Sequence, residues 1–294
     1  MIIDDHVHVG TLEHYGGVAT DFMKLHHLGN RPAWWDESRT WRIEDVARTG
    51  EQVVRDMDKY GIDKSCLLPF VAIPRKCRVP NDWVAREVQK YPDRLIGFAS
   101  VDPLAGLGAV RELDYAIEKL GFRGLKLAVA YNMARLDDRR IWPLWQRAEE
   151  LGIPVLVHTG YAWNDCPIDW QDPLLLDEVG LAFPELKLVI CHVALPWQEY
   201  ACWLADKYPN WYVEVSFIPE LGMDYTMRVC QLIKAVGLMD RALYGTDYPW
   251  ASPNNANHFK KLPKMAKERG NDPTITDEDI KKLLGGNMAR LLKL

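Results

Sequence analysis

The sequence predicts an α/β protein, a single (β/α)8 TIM barrel over residues 1–294 with a long loop after the first strand and extra C-terminal helices. Three observations carry that prediction. Eight short β-rich runs alternate with helical segments from end to end, which is the pattern of a parallel sheet, and eight strands suffice to close one. No GxGxxG follows the first run, which disfavours an open dinucleotide-binding sheet. The 294 residues fit one unit, because barrels of about 250 residues are routinely single domains.

The predicted strands are 2–8, 63–70, 94–101, 122–129, 153–159, 186–192, 211–217 and 241–247. Each is a short apolar or β-branched run bounded by polar or turn residues. Helical patterning covers 44–60, 80–91, 106–120, 139–151, 173–182, 197–208 and 222–236. A C-terminal pair follows at 257–269 and 277–292, the second opened by Thr276 and an acidic first turn. Residues 10–43 fit neither pattern. A loop that long is expected to be a lid, and it carries His14, His26, His27, Trp34, Trp35 and Trp41.

Composition narrows the function. A net charge of −5 with no dominant basic patch argues against a nucleic-acid or anionic-membrane partner. No apolar run reaches 18 residues, so neither a membrane span nor a secretory leader is expected. The six cysteines, at 66, 77, 166, 191, 202 and 230, include no CxxC pair. That predicts free thiols in a reducing compartment, hence a cytoplasmic protein.

The chemistry gathers at strand ends. The first run, IIDDHVHVG, sets Asp4, His6 and His8 on alternate positions, which in a regular strand share one face. His158 ends the fifth strand, His192 the sixth and Asp247 the eighth. By the same alternation Leu188, Ile190 and His192 face inward, and Asp247 lies on the side of Gly245. Catalytic groups of such barrels sit at the C-terminal strand ends, so these five side chains are expected to meet at one mouth. Imidazole nitrogens with one carboxylate suit a divalent ion with a position left for water.

The stretches that carry these residues, with GLKL at 124–127, VLVHTG at 155–160, FPELKLVICHVALPW at 183–197, ALYGTDYPW at 242–250 and LLGGNMARLL at 283–292, resemble the amidohydrolase-related TIM-barrel family. That family includes metal-dependent hydrolases, lactonases and carboxy-lyases of the aminocarboxymuconate-semialdehyde decarboxylase type. The resemblance implies that His6, His8, His158 and Asp247 bind one divalent ion, commonly zinc, with His192 working beside it. Hydroxybenzoate-type decarboxylases tend to carry a glutamate three residues after the strand-six histidine. Here that position is Leu195, which points to the hydrolase branch.

The expected activity is therefore hydrolysis of an ester, lactone or amide of a small, carboxylated or ring-shaped substrate. The ion acidifies water, Asp247 takes and passes on the proton, and His192 stabilises the oxyanion. The alternative is non-oxidative decarboxylation of an aromatic or unsaturated acid; a barrel that binds ligand without turnover is a third reading. Lys126 points inward on the fourth strand, and an ion pair with Asp4 or Glu214 is expected in preference to a lysine bridging two metals. Candidate substrate contacts are Arg75, Lys126, Tyr131, Arg135, Trp163, Trp170, Trp197 and Trp250, all on or just past strand ends. Some of these tryptophans would instead pack loops or form a contact in a homo-oligomer.

Overall fold

A computed structural model describes residues 1–27, 43–162 and 166–294, with side chains for 1–19, 44–162 and 166–294. The strands are β1 (Ile3–His8), β2 (Lys64–Leu68), β3 (Val71–Ala72), β4 (Cys77–Arg78), β5 (Leu95–Gly97), β6 (Ala99–Ser100), β7 (Leu125–Leu127), β8 (Pro154–Val157), β9 (Lys187–Ile190), β10 (Trp211–Glu214) and β11 (Ala242–Leu243). One parallel sheet runs β1-β2-β5 and another β6-β7-β8-β9-β10-β11, with β3 and β4 a separate antiparallel hairpin. β5 and β6 are one stave broken at Phe98: its N–H donates to Leu67 O (3.1 Å), and that of Ala99 to Gly124 O (2.8 Å). The other seam is closed by Asp5 N–H on Tyr244 O (3.0 Å), Asp247 N–H on His6 O (2.9 Å) and His8 N–H on Tyr248 O (2.7 Å). Eight staves therefore run round the TIM barrel that the alternation predicts.

The helices are α1 (Leu12–His27), α2 (Gly50–Tyr60), α3 (Asn81–Lys90), α4 (Leu107–Glu118), α5 (Trp142–Leu151), α6 (Asp177–Ala182), α7 (Gln198–Lys207), α8 (Met223–Ala235), α9 (Ala256–Arg269), α10 (Asp277–Lys281) and α11 (Asn287–Leu292). Among the described residues no helix is long and apolar enough to cross a membrane. Two departures from the sequence pattern have local causes. The predicted loop at 10–43 opens with a helix, α1, which kinks at Gly16 (φ 49°) against the Lys76 carbonyl; a Cβ there would lie 2.4 Å from that oxygen. The predicted lid residues Trp34, Trp35 and Trp41 lie outside the described residues. The helix predicted over 277–292 breaks at Gly285, where a Cβ would lie 2.6 Å from Met1 O. That break lets α11 close the base of the barrel.

Side chains divide between two cores. Leu125, Leu127, Val155, Val157, Leu188 and Ile190 face outward into the layer shared with the helices. Ile3, Cys66, Leu68, Ile96, Phe98, Leu156, Val189 and Cys191 fill the lumen, and Met288, Leu291 and Leu292 of α11 plug it from below. Each fully buried aliphatic or phenyl side chain contributes about 1.5–3 kcal/mol. The apolar floor leaves the upper lumen for polar groups.

Candidate active site

The first strand does not keep a simple alternation. Its register against β2 shifts between Asp4 and Val7, a β-bulge. Ile3 and Asp5 point into the lumen, and beyond the bulge so do His6 and His8, while Val7 joins the outer core. Asp4, expected beside the two histidines, points away from them. It accepts from Thr246 N–H (2.9 Å) and Thr246 Oγ–H (2.7 Å) and so pins the eighth stave. Gly245 makes the bulge possible: a Cβ there would lie 2.5 Å from His6 Cβ and 2.6 Å from Asp5 Oδ1.

The sixth stave also differs from expectation. Val189 and Cys191 face the lumen, and Leu188 and Ile190 face the helices. His192 still reaches the site, because the strand ends at Ile190 and His192, Val193 and Ala194 take left-handed conformations (φ 58°, 45° and 47°). Asp247 likewise has φ 63°.

Hydrogen bonds assign the imidazole tautomers. His8 Nδ1 lies 3.2 Å from Leu68 O, and a carbonyl only accepts, so Nδ1 carries the proton and Nε2 is bare. His6 Nδ1 lies 3.2 Å from Glu214 Oε2, which leaves its Nε2 bare too. Ser216 Oγ–H donates to Glu214 Oε2 (2.8 Å) and accepts from His192 Nδ1–H (2.7 Å). His192 Nε2 then accepts from His158 Nδ1–H (3.1 Å), and His158 Nε2 is left buried with no partner. One carboxylate, Glu214, therefore orients both the His6 and the His192–His158 branches. Its own position is fixed by the N–H groups of Ser216 and His192.

The bare Nε2 atoms of His6 and His8 converge with Asp247. His6 Nε2 lies 3.2 Å from His8 Nε2 and 3.4 Å from Asp247 Oδ1, and His8 Nε2 lies 3.5 Å from that oxygen. Donors about 2.0–2.1 Å from a tetrahedral ion stand about 3.4 Å apart, so the set fits a divalent cation. His192 falls with His6 and Asp247 in a group whose ligand atoms all lie within 4.8 Å. Metal-binding histidines ordinarily donate their second N–H to a carboxylate or carbonyl, as His6 and His8 do here.

Lys126 opposes that set. Its Nζ lies 3.0 Å from His6 Nε2 and 3.5 Å from Cys191 Sγ. The expected ion pair with Asp4 or Glu214 is not formed: Asp4 faces the other side of its strand, and the nearest lysine contacts are imidazole and thiol. Burial, with the Lys126 charge next for His6, His8 and His158, pushes those imidazoles well below their usual range. For His192 burial leads as well, followed by His158 and then Lys126. Burial raises the carboxyls of Asp247 and Glu214 to about 7, opposed by the Lys126 charge at Asp247 and first by the Ser216 hydrogen bond at Glu214. Neutral imidazoles are the form that ligates metal.

Above this floor opens a cavity lined by His8, Val18, Phe70, Tyr131, His158, Tyr161, His192, Leu195, Phe217, Asp247 and Trp250. Tyr131 packs edge-on against Phe70 (5.1 Å) and His158 (5.3 Å), and Trp250 against Tyr15 (5.5 Å). Of the predicted substrate contacts, Tyr131 and Trp250 are in the lining. Lys126 lies beneath the floor, and Trp163 is outside the described residues. Arg75, Trp170 and Trp197 are not in the lining, and Arg135 is spent on Asp137 through two bonds of 2.9 and 3.0 Å. Phe70 and Phe217 were missed. Phe70 was within reach, because it continues the inward series Cys66, Leu68 two residues on; Phe217 sits on a left-handed turn (φ 65°) that alternation does not foresee.

A barrel whose upper lumen holds four histidines and an aspartate beneath an aromatic cavity is the architecture of an enzyme, with donors that could hold a metal ion. The profile of the amidohydrolase family matches residues 3–294, and the chain belongs to that family. It is 28% identical to a gamma-resorcylate decarboxylase of a Polaromonas species over 88% of this chain and 91% of the relative. It is 26% identical to another from Rhodococcus jostii, over 89% and 91%. An uncharacterised TIM-barrel protein of Bordetella bronchiseptica superposes with a TM-score of 0.74 at 25% identity, covering 99% of this chain and 98% of the other. The Polaromonas and Rhodococcus relatives, aligned over nearly their whole length, are decarboxylases, which overturns the expectation of a hydrolase. Leu195 misdirected that expectation. It does line the cavity, and the carboxylate that serves His192 comes instead from Glu214 on β10 through Ser216.

Proposed function

We propose that this protein is a divalent-metal-dependent, non-oxidative decarboxylase of a small aromatic carboxylic acid. The observation that carries the reading is the end-to-end similarity to gamma-resorcylate decarboxylases, with 88–89% of this chain aligned to 91% of each relative. The geometry supports it. His6, His8, His158 and Asp247 would hold the ion, and zinc suits three imidazoles with one carboxylate. When bound, the ion supplies Lewis-acid stabilisation of negative charge on substrate oxygens.

The chain's own residues do the rest. Phe70, Tyr131, Phe217 and Trp250 grip a planar ring and keep water from it. Asp247, at the junction of floor and wall, delivers a proton to the ring carbon as the carbon–carboxylate bond breaks. The electron pair of that bond forms the new C–H bond, and CO₂ leaves. His192, fixed through Ser216 and Glu214, holds its ring against the reacting face.

The test is turnover of a panel of aromatic monocarboxylates by metal-loaded enzyme, with CO₂ detected directly. Equimolar CO₂ and decarboxylated ring are expected. Cleavage of esters or lactones with no CO₂ from any acid would overturn the reading.

A further inference from the structure

The left-handed backbone of Asp247 raises the question of what holds it. A non-glycine residue at φ 63° is disfavoured and persists only where its flanks over-determine it. The upstream flank is Thr246, fastened to Asp4 by the two hydrogen bonds described above. The downstream flank is Tyr248, whose carbonyl accepts His8 N–H at 2.7 Å and whose N–H donates to Thr246 Oγ at 3.1 Å.

The Tyr248 ring is buried outside the lumen, and its hydroxyl stands between two groups of opposite character. It donates to Asp56 Oδ2 of α2 at 2.5 Å and accepts from Arg48 Nε. The guanidinium carbon lies 5.2 Å from the ring centroid, near enough for a cation–π contribution. Arg48 is itself clamped by backbone. Its N–H donates to Gly10 O (2.9 Å), and its carbonyl accepts Gly10 N–H (3.0 Å). Gly10 follows His8 by two residues and Tyr248 follows Asp247 by one. Arg48 thus ties together the two chain segments that bring His8 and Asp247 to the site. None of Arg48, Asp56 and Tyr248 lines the cavity, so they reach the reacting atoms only through the segments that carry Asp247 and His8.

We propose that Tyr248, braced by Arg48 and Asp56, is a positioning residue that aims the Asp247 carboxylate for proton delivery; this rests on the proton-carrier role assigned to Asp247 above. An error of about 1 Å in placing a reacting group costs on the order of 10²-fold in rate. Loosening one of two flanks should therefore cost about tenfold.

Tyr248→Phe removes the hydroxyl and keeps the ring packed, and Asp56→Ala removes its acceptor without touching the barrel. Both are assayed as metal-loaded enzyme beside Asp247→Asn. The expected result is kcat down about tenfold in each, KM within twofold, unchanged metal stoichiometry and a larger solvent deuterium isotope effect on kcat. The double variant should be no worse than the weaker single one, because members of one network are not additive. Tyr248→Phe and Asp56→Ala within twofold of wild type, beside an inactive Asp247→Asn, would overturn the clamp and spare the function. Lowered melting temperature with kcat per bound metal and isotope effect unchanged would reduce it to a structural role and overturn it too. Turnover surviving in Asp247→Asn would remove the proton-carrier reading on which it stands.

Discussion

Glu214→Gln is the perturbation that loads the site's hydrogen-bond logic most heavily. The buried carboxylate accepts from four donors, with His6 Nδ1, Ser216 Oγ and His192 N on Oε2 and Ser216 N on Oε1. An amide keeps only one acceptor oxygen. In its better orientation that oxygen retains the Oε2 partners and the NH₂ faces Ser216 N–H, leaving a donor opposed to a donor. Such a buried mismatch costs about 1–3 kcal/mol. The charge-assisted bond to His6 Nδ1 also weakens, and losing the outer partner of a metal-binding histidine typically lowers metal affinity 10- to 100-fold, about 1.4–2.7 kcal/mol. Competition between the protein and a chelator for Zn²⁺ reads that number directly, with circular dichroism confirming the fold. An affinity within twofold of wild type would refute the tautomer assignment, since His6 would then owe nothing to Glu214.

Three further substitutions probe other parts of the account. Asp247→Asn should lower turnover by about 10²- to 10⁴-fold, the range for a lost general acid–base group; steady-state kinetics within threefold of wild type would contradict its role. Gly245→Ala places a methyl group 2.5 Å from His6 Cβ and 2.8 Å from Glu214 Oε1, both rigidly held. Overpacking of that kind costs about 1–3 kcal/mol, so a lower melting temperature together with weakened metal binding is expected. Trp250→Ala should raise KM at least fivefold by opening the cavity wall, whereas Trp197→Ala, outside that wall, should leave it within twofold. Equal effects of the two would show that the wall is misplaced.

The barrel and the identity of its polar residues were legible because alternation and strand-end position are properties of sequence. The faces of two strands were not. His6 and Asp5 both turn inward only because Gly245, 239 positions after His6, leaves space for them. The strand-six reversal depends on the left-handed run at His192, Val193 and Ala194, and a β-branched valine is among the residues least expected there. Lys126 was read correctly as inward-facing, but its partners, His6 and Cys191, follow from those same two irregularities. The reaction was less legible still. Three imidazoles and a carboxylate serve hydrolysis and decarboxylation alike, and the identity of residue 195 said nothing about the carboxylate that β10 supplies through Ser216.

The most direct measurement follows the fate of solvent atoms in the organic product, with an aromatic acid that the enzyme consumes as substrate. Mass spectrometry of a reaction run in D₂O should find one deuterium on the ring carbon that bore the carboxylate, and a parallel run in ¹⁸O-labelled water should leave the ring product unlabelled. Product carrying ¹⁸O, with no deuterium on carbon and no CO₂ evolved, would mean that water attacks a carbonyl after all.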